Sequence, residues 1–99
     1  MCTYDTFTVD LSGCAKGATG WFDATLASVS FDHPVRAQAE HTLNIDVLAP
    51  TLGPSARVAL ELTAESARAL AAAITQALDA APPALLSGGS AGTGSLRGG

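Results

Sequence analysis

Hydrophobic and polar residues alternate along four stretches of the chain, and each stretch is five to twelve residues long. The alternation is clearest over residues 41–48, where Leu43, Ile45 and Val47 point one way and Thr42, Asn44 and Asp46 the other. Alternation with a period of two is typical of a strand with one buried face. The pattern predicts four strands, at residues 3–11, 21–32, 41–48 and 57–62.

Within the second predicted strand, the apolar residues change faces. The later positions on one face are Val29, Phe31 and His33. The earlier positions on the opposite face are Phe22, Ala24 and Leu26. A β-bulge is a common way for a strand to change the face it buries, so we expect one here. Residues 12–20 are rich in glycine and small residues and predict a flexible turn before this strand.

A helical repeat replaces the alternation over residues 64–80. Apolar residues recur there at the spacing of one helix face: Ala67, Leu70, Ala71, Ile74, Ala77 and Leu78. Thr63 is placed to cap the first turn, and Glu65 puts a negative charge where the helix dipole favours it. Pro82 and Pro83 end the helix, and the Gly/Ser-rich residues that follow predict a disordered tail.

Short connections between four strands favour an antiparallel meander. The predicted fold is therefore α+β, a four-stranded antiparallel β-meander followed by one C-terminal helix packed on one sheet face (ββββα). We expect a single domain over residues 1–81 and a flexible tail over residues 82–99. The helix covers one face only, and the second face carries a mixture of Tyr4, Thr6, Phe22, Leu26 and Asn44, which suggests a homodimer through it.

Composition narrows the range of partners. The chain has 99 residues, a net charge of −4, and only five basic residues, which are scattered along it. Nucleic acid and anionic membranes are therefore not expected as partners. The chain lacks an apolar run of the roughly 20 residues that a membrane helix needs, and it lacks a basic start leading into an apolar segment. We expect a soluble, cytoplasmic protein without membrane partners.

Titratable side chains concentrate at one edge of the predicted meander. Two strands start there, two end there, and the helix begins there, which gathers Cys2, Tyr4, Asp32, His33, Glu40, His41, Glu61 and Glu65. The opposite edge receives Lys16 with the glycine-rich turn and the turn at Gly53 and Pro54. Both histidines follow a carboxylate directly, and histidine is the side chain that ordinarily titrates near neutral pH.

Three hypotheses fit this edge. In the first, His33 and His41 transfer protons on a small organic metabolite, Tyr4 or Asn44 polarises an oxygen, and Asp32, Glu40 and Asp46 help to bind it. Whether a reaction takes place stays open.

In the second hypothesis, Cys2, His33 and His41 with a carboxylate hold a Zn-like ion, although their spacing matches no standard finger or ribbon. In the third, the chain is a structural or interaction module: His33 caps a strand before Pro34, His41 begins the next strand, and the carboxylates are solvated.

Motifs for other chemistry are missing from the sequence. The glycine-rich segment precedes a strand and lacks a Gly-Lys-Ser/Thr triplet, so it does not predict a phosphate site. No Ser-x-x-Lys occurs, which disfavours a serine hydrolase of that type. We expect no cofactor.

Several short segments resemble a family of small uncharacterised bacterial proteins, a domain of unknown function. The segments are residues 1–4, 15–17, 20–22, 32–34, 40–46, 53–54 and 56–58, so the resemblance covers about residues 1–80. It implies a self-standing bacterial cytosolic domain, and it carries no catalytic residues over to this chain.

Overall fold

The structure is a computed structural model, and it describes residues 5–87. One antiparallel sheet contains four strands in the order β1-β2-β3-β4. Two helices follow the sheet, so the predicted α+β meander with a C-terminal helix is confirmed. The elements are β1 Thr6–Gly17, β2 Gly20–Asp32, β3 Thr42–Leu48, β4 Arg57–Leu62, α1 Ala64–Ala80 and α2 Pro83–Ser87, with a 3₁₀ turn at Pro50–Leu52.

The first strand is longer than the sequence indicated. Residues 12–17, predicted as part of a flexible turn, continue β1, and the turn itself consists of Ala18 and Thr19. Gly20 follows the turn with φ of 122°, a conformation that favours glycine. Backbone pairing with β2 explains the difference, because the ladder bonds use main-chain groups and do not need large side chains.

A bulge lies where the apolar residues change faces, and it lies in β1. The register of β1 on β2 shifts between Asp10 and Gly13, so Leu11 and Ser12 stand opposite Thr25 alone. Successive side chains of β2 continue to alternate between the two faces. The extra residue in β1 allows the two strands to stay paired on both sides of the bulge.

The register gives the sheet two unlike faces. Directly paired residues lie on the same face, so the pairs can be followed across all four strands. We call one side the apolar face; it consists of Phe7, Val9, Ala27, Val29, Phe31, Leu43, Ile45, Val47, Val58, Leu60 and Leu62. We call the other the polar face; over the same rows it carries Thr6, Thr8, Ser28, Ser30, Asn44, Asp46, Ala59 and Glu61.

Burial is slight for a sheet with so apolar a face. Among residues 5–87, the buried hydrophobic residues are four alanines, Ala24, Ala27, Ala49 and Ala56. On the apolar face, by contrast, Phe7 is 64% exposed and Val9 is 52% exposed. A folded chain ordinarily buries its large apolar side chains first, so the apolar face is a surface that still has hydrophobic area to lose.

The structure divides into two units after Ala67, so most of α1 lies in the second unit. The α1 helix begins as predicted, since the Ser66 N–H donates to Thr63 Oγ1 at 3.1 Å. In the apolar stripe of α1, Leu70 is 40% exposed and Ile74 is 54% exposed. Packing of α1 on a sheet face and a single domain over residues 1–81 stay predictions.

The short helix α2 occupies Pro83–Ser87, where the sequence predicted the beginning of a tail. Proline suits its first position, because a helix leaves the N–H at that position unpaired. The rest of the predicted tail lies outside the described residues.

The turn end of β1 packs closely against the start of β4. A Cβ atom built on Gly17 would lie 3.2 Å from the Phe22 ring and 3.4 Å from the Arg57 carbonyl oxygen. A Cβ on Gly13, in the same strand, would meet nothing within 4 Å. Glycine at position 17 therefore allows the edge strands β1 and β4 to approach each other, and Phe22 lies on the polar side of the sheet there.

We expect Gly17→Ala to lower the free energy of unfolding by about 1 kcal/mol relative to Gly13→Ala, because only the first substitution crowds its neighbours. Urea denaturation followed by circular dichroism measures the difference. Equal stability of the two variants would contradict the close approach of β1 and β4.

Candidate functional site

The two histidines form a cross-strand pair at one end of the sheet. The last ladder pair of β2 and β3 is Asp32 with Thr42, and His33 and His41 are the next residues outward. Their ring centroids lie 4.6 Å apart, with the planes tilted by 31°. The shared sheet edge predicted for these residues is therefore present, and the register produces it.

The pair continues the apolar face. The ring of His41 stacks on Phe31, with centroids 5.8 Å apart and planes 16° from parallel. Since Phe31 pairs directly with Leu43, and Leu43 with Leu62, the imidazoles follow the last apolar row of the sheet. An exposed hydrophobic surface thus ends in two titratable rings, which combine apolar contact with hydrogen-bonding capacity.

Three hydrogen bonds hold His33. Its backbone N–H donates to Asp32 Oδ1 at 2.7 Å, and its carbonyl accepts from Asn44 Nδ2 at 3.4 Å. Its Nδ1 lies 3.1 Å from the carbonyl oxygen of Glu40. A carbonyl oxygen only accepts, so Nδ1 carries the hydrogen, and in the neutral ring the lone pair is on Nε2.

Two predicted binding residues lie on the polar face, away from the imidazoles. Asn44 accepts a hydrogen bond from the buried Thr42 hydroxyl at 2.6 Å, in addition to supporting the backbone of His33. Asp46 accepts from Arg57 Nη2 at 2.6 Å and from Arg57 Nε at 2.9 Å. The structure therefore joins His33 and His41 at one place, and Asp32 and Asn44 support the backbone of His33 from the polar face.

Glu61 is a residue that the sequence placed at this edge without a role. Its carboxylate accepts the backbone N–H groups of Val35 at 2.5 Å, Arg36 at 2.9 Å and Ala37 at 2.8 Å. Those bonds, that of Val35 first, hold the pKa of the Glu61 carboxyl below its ordinary value of 4.5. The sequence signal was a carboxylate at a strand end, facing a loop that offers unpaired N–H groups.

A groove of about 560 Å³ adjoins the polar face beside this loop. It is lined by Val35, Arg36, Ala37, Arg57, Ala59 and Glu61. Arg57, which the sequence did not single out, lines the groove and forms the ion pair with Asp46. Two arginines line the groove: Arg57 is paired with Asp46, and Arg36 interacts electrostatically with the Glu61 carboxylate.

Cys2 and Tyr4 lie outside the described residues. Within residues 5–87, no group of three or more His, Cys, Asp or Glu side chains is arranged to hold a metal ion. The three-ligand metal hypothesis therefore depends on Cys2. In the same part of the chain, neither helix is long and apolar enough to cross a membrane.

Fold and site together define a small α+β protein whose antiparallel sheet has one apolar and one polar face and a histidine pair at one end. The chain belongs to a family of unknown function, DUF6295, whose model matches residues 1–87. This confirms the resemblance to an uncharacterised domain family. No match is found among curated proteins or among solved structures.

Acid should weaken the anchoring of the loop to Glu61. A carboxyl with a lowered folded-state pKa stabilises the fold at pH values above 4.5, and this stability is lost as the pH falls below that value through the folded-state pKa. The Glu61→Gln variant, which keeps one acceptor oxygen, should exchange the amide hydrogens of Val35, Arg36 and Ala37 faster at pH 7.

Its unfolding free energy should also vary less with pH between 3 and 5 than that of the wild type. Glu40→Gln is the control, because that substitution leaves the Glu40 carbonyl bond to His33 in place. Unchanged amide exchange in Glu61→Gln, measured by NMR, would contradict the anchoring role.

Proposed function

We propose that the chain is a homodimeric ligand-binding protein. In this proposal, a second copy covers the apolar face in place of the α1 packing that the sequence predicts. Two copies bury their apolar faces against each other, and the His33/His41 pair of each copy binds a small organic metabolite at the end of that interface. One observation carries the proposal: the exposed apolar face ends in a converged pair of imidazoles.

The extent of the apolar face supports assembly. With about 150–220 Å² for each large apolar side chain, the exposed fractions of Phe7, Val9, Phe31 and Leu60 amount to roughly 370 Å². The half-buried side chains of the face add to this area. Two such faces would remove roughly 740 Å² from water through these four side chains alone, and specific, stable interfaces remove about 1,200–2,000 Å² in all. A contiguous patch of this size matches the largest apolar patch of a typical monomer, which is often functional.

Charge favours the apolar face over the polar one as the interface. All eleven side chains of the apolar face are uncharged, so a two-fold axis sets no like charges against each other there. The polar face, by contrast, places Asp46, Arg57 and Glu61 in the rows nearest β4. Burying these groups in an interface would have a large desolvation cost. The second face, which the sequence suggested for the dimer, is the less suitable one.

The imidazole pair indicates the kind of metabolite. Phe31, Leu43 and Leu62 offer apolar contact to the body of a ligand, while His33 Nε2 can accept a hydrogen bond or, when protonated, donate one. Ligand sites generally combine apolar walls with a few convergent polar groups. A molecule with an apolar or planar body and one carboxylate fits this pattern. If the site is catalytic, His33 and His41 are the residues that would transfer a proton.

Assembly is tested by a matched pair of substitutions in neighbouring positions of β1. Val9→Asp places a charge on the apolar face, whereas Thr8→Asp places the same charge on the polar face. We expect wild type and Thr8→Asp to sediment as dimers at tens of micromolar, and Val9→Asp as a monomer. A monomeric wild type, or a dimeric Val9→Asp variant, would refute assembly through the apolar face.

Ligand binding is tested with a library of aliphatic and aromatic carboxylic acids, screened by thermal shift and ligand-observed NMR. We expect the His33→Ala/His41→Ala variant to bind the acids selected by wild type at least tenfold more weakly, while Gln38→Ala, an exposed change in the same loop, binds them normally. If the double variant stays folded and matches wild type across the library, the metabolite site is refuted.

Two alternatives make different predictions. A purely structural or interaction module would need the apolar face and not the histidines, so the double histidine variant would behave as wild type in every assay. A tight Zn site on Cys2, His33 and His41 would copurify with the protein. Elemental analysis of untagged protein with less than about a tenth of an equivalent of Zn, Cu, Ni or Fe would exclude that site.

A further inference from the structure

The histidine pair also has the geometry of a two-imidazole chelate. We propose that His33 and His41 bind a divalent late transition-metal ion, Ni²⁺ or Cu²⁺, in neighbouring positions of a tetragonal coordination sphere. The proposal differs from the tight three-ligand Zn site because it requires neither Cys2 nor a third protein ligand. It also does not depend on dimerisation or on an organic metabolite.

The distance between the rings indicates this geometry. A metal lies about 2.0–2.1 Å from an imidazole nitrogen and therefore roughly 3.2 Å from the ring centroid. Two rings at 90° around one ion then have centroids about 4.5 Å apart, and two rings at the tetrahedral angle about 5.2 Å apart. The observed 4.6 Å lies nearer to the first value, and it brings both rings within reach of one ion. Square-planar and tetragonal coordination by nitrogen and oxygen ligands is characteristic of Cu²⁺ and Ni²⁺.

The support around His33 matches that of a metal ligand. Its Nδ1–H is directed to the Glu40 carbonyl oxygen, which leaves Nε2 as the coordinating atom. A hydrogen bond from the second ring nitrogen to a carbonyl or carboxylate is the usual support for a ligating histidine, because it fixes both tautomer and ring orientation. The bonds from Asp32 and Asn44 to the backbone of His33 hold the residue itself in place.

The acidic balance of the chain favours a cation over an anion as its ligand. Asp32 and Glu40 directly precede the two histidines in the sequence, and the chain carries a net charge of −4. The nearest basic residue in the loop is Arg36, whose guanidinium interacts with the carboxylate of Glu61. Two protein ligands leave the other coordination positions to water, so the ion should be exchangeable, in contrast to a structural metal.

The test uses the full-length untagged protein and nickel chloride, since Ni²⁺ avoids the oxidation of thiols that Cu²⁺ causes. Calorimetric titration at pH 7.5 should show one Ni²⁺ per chain. Either His33→Ala or His41→Ala should lower the affinity at least tenfold, and the double variant should lose little more, because a chelate needs both rings. The proton signals of both imidazoles should be shifted and broadened by the paramagnetic ion.

Three controls separate this site from its competitors. Cys2→Ser should bind Ni²⁺ as wild type does; a loss equal to that of His33→Ala would overturn the two-imidazole site in favour of one that includes the thiol. Gln38→Ala should also bind normally. The Val9→Asp variant should keep the Ni²⁺ affinity even where assembly is lost, so the metal site and the homodimer can fail separately. Absence of Ni²⁺ binding by wild type at millimolar concentration would overturn the proposal.

Discussion

The antiparallel register of β2 on β3 is the constraint on which the rest of the structure depends. It pairs Phe31 with Leu43 and Asp32 with Thr42, and thereby places His33 next to His41. Side chains alternate between the faces of a sheet, so a slip of one residue in either strand would move its apolar residues to the polar face. It would also separate the imidazoles. The apolar face and the candidate site are thus two results of one pairing.

The same pairing leaves the sheet with an unusual distribution of burial. Hydrophobic area is the main favourable term in folding, and the described residues bury it through small alanines while Phe7, Val9 and Leu60 remain at least two-fifths exposed. The apolar residues of β2 change faces along the strand, and the bulge in β1 accommodates this change. Phe22 lies on the polar side of the sheet, where Gly17 approaches the start of β4. A sheet built in this way is most stable when another surface covers its apolar face.

The loop between β2 and β3 depends on a different interaction. Three consecutive N–H groups, from Val35 to Ala37, would be without an acceptor in the sheet, and the carboxylate of Glu61 accepts all three. Because Glu61 belongs to β4, it ties the loop that carries His33 and Glu40 to the edge strand beside β3. Glu61 therefore anchors the same loop that supplies the Glu40 carbonyl to His33.

Much of the fold and half of the candidate site were decided by the sequence itself. The alternation of apolar and polar residues determined the strands, the faces and the shared face of His33 and His41, because a period of two is a local property of the backbone. Thr63 likewise determined where α1 begins. The extension of β1 to Gly17 was not foreseeable from side-chain pattern, since glycines and alanines pair through their backbone alone.

Only the tertiary structure decided which residues support the site. The distance between the imidazoles required the register, the three bonds to Glu61 required the path of a loop that is 24 to 26 residues away in sequence, and the ion pair of Asp46 with Arg57 required two neighbouring strands. These contacts join residues far apart in the chain, and their geometry depends on the paired sheet as a whole. The local alternation placed both histidines on one face of the sheet, and the long-range pairing brought them together.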